Sequence, residues 1–363
     1  MGNDDKTLGL FDYDGGWFFN ILIDELSKKK SLDEYKEDEI KEITKKVLEG
    51  FTPDMAECVL GTLKEGMAAK LKERRAEIAE FEEHIGRIWR KPIDLLEIFL
   101  ELCLEAAILF HEKMDSHVTS ENKYLYQALL RLHARGCQVG AEVLTLLNSG
   151  FADGAHARWR TLYEITVVAY FIRMHGNDVA ERYIRHNTIE SYRAMNVYQN
   201  CYKRLGYDPY TEEDIAGTTE AFTVLCERYG PSFKNRYGWS SEVLNKKDVK
   251  FSDIEKSTKF DHMRAHYKLA SHNVHAGPKG IVFKLGMPEK SPDIIHLLPG
   301  PSDAGFTDPA HCTAISLYQL TAALLTLGNN PTWFVIIKIL EMLEREIGQA
   351  FLEVDKQLTS SKS

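Results

Sequence analysis

Asn148-Ser-Gly-Phe-Ala-Asp-Gly-Ala-His-Ala-Arg-Trp-Arg-Thr-Leu-Tyr-Glu164 closes one helix and opens the next. Asn148-Ser-Gly150 is a polar, glycine-ended stop for a long amphipathic helix over Tyr124–Leu147. Asp153-Gly154 then launches a helix that runs to about His175. The same pattern of start, apolar helical stretch and stop repeats outward in both directions, and it predicts an all-α, multi-helix bundle.

Upstream, residues 1–16 read as an irregular lead-in, and Trp17 to about Glu112 as helical with dense mixed charge. Pro53 after Thr52 reads as a helix opening, and Pro92 as the start of an apolar helix over Ile93–Phe110. The charged run Lys64–Arg90 reads as a solvated or partner-facing helix. Downstream, Asn177 or Asp178 caps a helix through Tyr202, and Gly206–Ser257 is the least regular interval, with a short helix near Thr218–Arg228 and a long loop over Ser232–Lys250. Ile281-Val-Phe-Lys-Leu285 and Ile294-Ile-His-Leu-Leu298 are β-branched runs that predict at most a small hairpin near 281–298. Two helices joined at Gly328-Asn-Asn-Pro331 close the chain, with Thr359–Ser363 as a frayed tail. The resulting division is a charged helical region over 1–115, a helical core over 116–280, and a hairpin with C-terminal helices over 281–363.

The 363 residues suffice for a large core, and 44% hydrophobic with 27% charged residues describes a folded globular chain. A net charge of -9 argues against a broad basic surface for nucleic acid and leaves room only for a local groove. Six cysteines stand singly, without a CxxC pair, so they read as reduced core thiols and not as a zinc ribbon. No secretory leader is legible, and the uncharged stretch before Gly328 is too short to span a bilayer. A cytoplasmic protein with no membrane partner is expected. Phosphate-binding, dinucleotide-binding and α/β-hydrolase glycine motifs are missing.

Two polar clusters on helices carry the candidate chemistry. In the first, Arg160 and Glu164 are four apart and share a face, with Tyr163 beside them and His156 one turn upstream. The second is Asp261-His-Met-Arg-Ala-His-Tyr-Lys-Leu-Ala-Ser-His-Asn-Val-His-Ala-Gly277. There Arg264, Lys268, Ser271 and His275 fall within about 60° of one another and His272 about 80° from Arg264. A cationic face with two imidazoles suits a phosphate, with Arg and Lys neutralising charge and His moving a proton. Asn273 reads as a brace at the helix end. Metal binding is a rival use of His262, His266, His272 and His275, although the two pairs face different ways. An ion pair or a satisfied structural histidine is the plain alternative for each cluster.

The string ending in Arg160-Thr-Leu-Tyr-Glu164, with Tyr267-Lys-Leu-Ala-Ser-His-Asn-Val-His-Ala-Gly277, resembles a helical bacterial domain family of unknown function over roughly residues 120–280. More distantly, the arrangement is similar to HEPN domains. That likeness implies a HEPN-like core, a dimeric helical bundle, and metal-independent RNA cleavage by an Arg and a His in defence or toxin systems. No Arg here precedes a His by the five to seven positions of that motif; Arg264 lies eight before His272. The resulting expectation is a protein that binds or cleaves RNA without a cofactor. Arg160, Glu164, His272 and His275 would be catalytic, and Arg264, Lys268, Ser271, Asn273 and Tyr163 would hold substrate. A homo-oligomer is expected, with a partner protein on the N-terminal helices. The alternative is a non-enzymatic oligomerising sensor or adaptor whose polar clusters are structural.

Overall fold

Why the helices form follows from their sequences, and where they stop follows from a few glycines and caps. The computed structural model describes residues 16–28, 30–31, 34–114, 118–287 and 298–362. Among them the chain is all α: α1 Gly16–Ser27, α2 Glu37–Met114, α3 Lys123–Asn148, α4 Ala152–His175, α5 Asn177–Arg185, α6 Asn187–Gln199, α7 Tyr202–Leu205, α8 Glu212–Tyr229, α9 Phe251–Ser257, α10 Arg264–His272, α11 Pro278–Val282, α12 Thr307–Leu325 and α13 Pro331–Lys362. No described residue forms a strand. The chain divides into two compact units, residues 1–81 and 82–363.

In the first unit, α1 leads to the opening of α2. The Tyr35 hydroxyl donates to the Leu26 carbonyl at 2.8 Å, and Lys30 pairs with Glu39 at 2.9 Å. No residue of α2 from Glu37 to Phe81 is buried. Its surface is laced instead by helical ion pairs such as Lys41–Glu37 and Lys46–Glu42, each stabilising the helix by only a few tenths of a kcal/mol.

The second unit is built on α3, α4 and α12, which pack against one another; α13 packs on α12 and α10 on α4. Gly136 permits the close approach of α3 to α12, because a Cβ there would lie 2.2 Å from Leu320 Cδ2. Trp89 of α2 stacks on Phe306 and Phe351, and Phe110 meets Trp333 edge-on at 5.1 Å. Several polar groups inside this core are matched. The Trp159 indole donates to Ser316 Oγ at 3.0 Å, Thr166 Oγ1 donates within hydrogen-bond reach of the Ser316 and Leu162 carbonyls, and His133 meets Thr321 Oγ1 at 2.9 Å. Cys103 and Cys312 are buried, and burial pushes both thiols well up; it pushes the half-buried Cys137 thiol up to about 12.

Several sequence expectations need correction. Pro53 and Pro92 open no helix; both lie inside α2. A proline removes one backbone donor from a helix interior and distorts it, yet good helix formers on both sides carry the helix through. Thr52 caps nothing and donates back to the Leu48 carbonyl at 2.5 Å. The helix expected through Tyr202 breaks at His186, whose Nε2 bonds the Phe233 and Asn235 carbonyls. Asn177 caps a different helix: its Oδ1 accepts from the Tyr124 and Leu125 amides of α3. The second cluster's helix stops at His272, before His275. Ile281 and Val282 end α11, so the hairpin's first run is no strand; residues 294–297 of its second run lie outside the described residues. Thr359–Lys362 continues α13 instead of fraying.

Ser316→Ala leaves the buried Trp159 N–H without its acceptor and should lower stability by about 1–3 kcal/mol. Urea unfolding checks this; an unchanged midpoint would remove Ser316 from the account of the core.

Candidate functional site

The two clusters meet where α10 packs on α4. Arg160 lies between them. Its Nη2 contacts Glu164 Oε1 at 2.9 Å and donates to the Tyr267 hydroxyl at 2.5 Å, while Nε donates to Ser271 Oγ at 3.1 Å. The Tyr267 hydroxyl in turn donates to Glu164 Oε1 at 2.6 Å, and the Ser271 hydroxyl donates to the Tyr267 carbonyl at 2.7 Å. The guanidinium also lies against the Tyr267 ring, 4.5 Å from its centroid. Two of the three guanidinium nitrogens are therefore committed inside the protein. About a quarter of each charged side chain remains exposed, 23% for Arg160 and 28% for Glu164.

A second ion pair sits behind the first. Glu255 of α9 is wholly buried, accepts from the Tyr163 hydroxyl at 2.7 Å, and pairs with Arg264 at the start of α10. The Tyr163 oxygen also lies 2.8 Å from the Phe260 carbonyl. Burial, then the Glu255 carboxylate, holds the Tyr163 hydroxyl well above its usual range. Burial, then Glu164, does the same for Tyr267. Both phenols are thus neutral donors to carboxylates. Tyr163 and Tyr267 lie with centroids 5.6 Å apart, and Phe251 stacks on Tyr267 at 5.4 Å. The two arginines and two glutamates balance in charge, so the cluster presents no net positive field.

Of the residues singled out in the sequence, Arg160, Glu164 and Ser271 form one network, with Tyr163 and Arg264 in the adjoining one. Lys268 is exposed and makes no ion pair among the described residues. His272 is half-buried and His275 exposed beyond the helix end; neither imidazole hydrogen-bonds among the described residues. Asn273 is the C-terminal flank of α10, and its Oδ1 is buried without a hydrogen-bond partner among the described residues. Gly280 packs against this end so tightly that a Cβ would lie 2.1 Å from the His272 carbonyl. Among the described residues no group of three His, Cys, Asp or Glu side chains could hold a metal ion.

Sequence reasoning missed Tyr267, the hub of the first network, and Glu255, the buried counter-charge of Arg264 in the second. Tyr267 had a signal, since Ser271 lies one turn beyond it. Glu255 had none, because it stands in the interval that reads as least regular. A separate cleft of about 400 Å³, lined by Arg131, Arg135, Tyr183, His186, Asn187 and Trp239, does not include the cluster.

Residues 126–292 match a family of unknown function (DUF5677). The match spans α4 and α10 and brings no activity with it. No curated protein and no solved structure shows a significant match to the chain. Among the described residues no helix is long and apolar enough to cross a membrane.

His156 departs most from its expected place. It is fully buried, stacks on Trp159 at 5.3 Å, and neither ring nitrogen has a hydrogen-bond partner among the described residues. Burial lowers its pKa from 6.5 to about 4, and His133 follows the same course to about 4. The folded state thus binds these protons less readily than the unfolded chain. Their contribution is fully present above about pH 6.5 and is lost as pH falls towards 4. His156→Phe keeps the stacked ring and should flatten the acid-side loss of stability in denaturant titrations from pH 7 to 4; an unaltered slope would mean that His156 binds its proton as readily in the fold as in the unfolded chain.

Proposed function

We propose that this chain is a non-enzymatic helical adaptor or sensor in which the polar clusters brace α10 against α4. The observation that carries this reading is the closed network of Arg160, Glu164, Tyr267 and Ser271. A catalytic arginine has to turn its charge towards a developing phosphate charge. Arg160 instead spends its charge on Glu164 and its donors on Tyr267 and Ser271. Arg264 is likewise neutralised by Glu255. Such pairs give little net stability but fix which residues can face one another.

The RNA-cleaving reading with a HEPN-like core draws on Lys268, His272 and His275, which leave unpaired donors along the solvent side of α10 and just past its end. It would require Arg160 to leave Glu164 when RNA arrives. Among the described residues no other cation pairs with Glu164, and the balanced charge of the two ion pairs gives RNA no electrostatic pull. The adaptor reading is therefore the better supported of the two.

Purified wild type, Arg160→Ala and Tyr267→Phe, incubated with end-labelled single-stranded and duplex RNA, test the proposal. No cleavage is expected from any of them. Arg160→Ala should lower stability by about 1–3 kcal/mol by stranding Glu164, with the partial exposure of the pair keeping the loss at the low end. Tyr267→Phe should cost about 1 kcal/mol. RNA cut by wild type but not by an equally stable Arg160→Ala protein would reverse the assignment.

A further inference from the structure

The break between α5 and α6 opens onto the cleft of about 400 Å³, within the span of about 300–1,000 Å³ typical of small-molecule sites. Ala128, Leu132 and Ile184 give it apolar walls, and the Tyr183 and Trp239 rings meet there edge to face, with centroids 5.1 Å apart. The polar groups on these walls are largely unspent. Arg131 of α3 is exposed and makes neither an ion pair nor a hydrogen bond among the described residues. Arg135, one turn on, gives Nη1 to Gln138 Oε1 at 2.6 Å and lies 3.7 Å from Glu142. That carboxylate pairs more closely with Arg158. Trp239 is only 3% exposed, yet its indole N–H has no acceptor among the described residues, and the Tyr183 hydroxyl has none either. A donor held this deeply without an acceptor is costly. This side of the cleft therefore offers donors and positive charge and lacks an anion.

The α6 side has the reverse need. His186 is 4% exposed, and its Nε2 bonds the Phe233 and Asn235 carbonyls at 3.1 and 2.9 Å. A carbonyl only accepts, so Nε2 carries the proton and Nδ1 holds a lone pair. Burial keeps the pKa of this ring below its usual value, which leaves the imidazole neutral. Nδ1 stands 3.7 Å from Glu190 Oε1, another acceptor. Arg193 meets Glu190 at 2.8 Å, but Nδ1 has no donor among the described residues. His186 and Glu190 both line the cleft.

A ligand that answers both needs carries an anion at one end and an N–H donor at the other. Two arginines one turn apart suit a phosphate, whose several oxygens can take both guanidinium groups at once. The apolar, ring-bearing walls between the two ends suit a flat body. We infer that this cleft binds a small phosphate monoester whose body carries an amino group, of the class of an aminopurine mononucleotide. Arg131 and Arg135 hold the phosphate, and the amino group donates to His186 Nδ1 and Glu190. The inference deepens the sensor side of the proposed function, on which it rests for its purpose, by naming what is sensed.

Calorimetric titration of the full chain with adenosine 5′-monophosphate tests it. Saturable binding is expected, and it should weaken as salt rises. Arg131→Gln should weaken it at least tenfold with thermal unfolding unaltered, since Arg131 holds no other described group. Arg131→Lys keeps a charge but loses the planar fork, and should recover part of the loss. Adenosine lacks the phosphate and purine riboside 5′-monophosphate lacks only the amino group; each should bind at least tenfold more weakly. No saturable binding, binding indifferent to Arg131→Gln, or equal binding of either analogue would overturn the inference. So would RNA held through Arg131 more tightly than the nucleotide. A chain that binds the nucleotide yet cuts RNA ends the adaptor reading alone; one inert towards both ends this inference alone.

Discussion

Polar groups carried into the contact of α3, α4 and α12 are costly unless they find partners within it, and apart from His156, which stays neutral against Trp159, the second unit is arranged around meeting that demand. A buried donor without an acceptor costs as much as a sizeable share of a domain's net stability. Ser316 meets the demand twice, accepting from the Trp159 indole through its hydroxyl and from Thr166 through its carbonyl. His133 and Thr321 do so one turn further along α12. Small residues on α12 and glycine on α3 let the helices come close enough for these short side chains to reach. Once α4 is fixed in this way, the face bearing Arg160 and Glu164 has a single place in which to point.

That face is where the functional readings divide. The same residue types, Arg, Glu, Tyr, Ser and His, can serve chemistry or hold two helices together, and composition does not separate the cases. Connectivity does. Here the tyrosines donate to carboxylates and the arginines are paired with those same carboxylates, so each group completes another's requirement. The histidines that would move protons stand outside this circuit, at and beyond the end of α10.

Much of the helical framework was legible in the sequence because it rests on local signals. The glycine-ended stop at Asn148–Gly150 and the start near Asp153 place the α3–α4 turn to within a residue or two. The turn at Gly328–Pro331 is equally clear. Local signals failed where distant contacts decide. Prolines 53 and 92 are helix starters by their own chemistry, yet neighbouring helix formers absorb them into α2. Ile281 and Val282 favour a strand, but no second strand is offered to them and they finish a short helix after Pro278. At the site, helical spacing brought out the Arg160–Glu164 pair. Glu255 depends on a loop that returns the chain to Tyr163 from ninety-two residues away, and no spacing rule reaches that far.

Asn177 carries a consequence for how this fold is acquired. The amides of Tyr124 and Leu125 at the start of α3 are satisfied by the side chain of a residue just past the end of α4, more than fifty positions later. A helix usually brings its own cap; this one borrows it from a downstream turn. During synthesis, α3 emerges with its first turn open to water and is sealed only after α4 has folded back along it. Closing that turn is therefore a report that the α3–α4 hairpin has docked. Hydrogen exchange at Tyr124 and Leu125 should follow the opening of the whole hairpin instead of the fraying of one helix end.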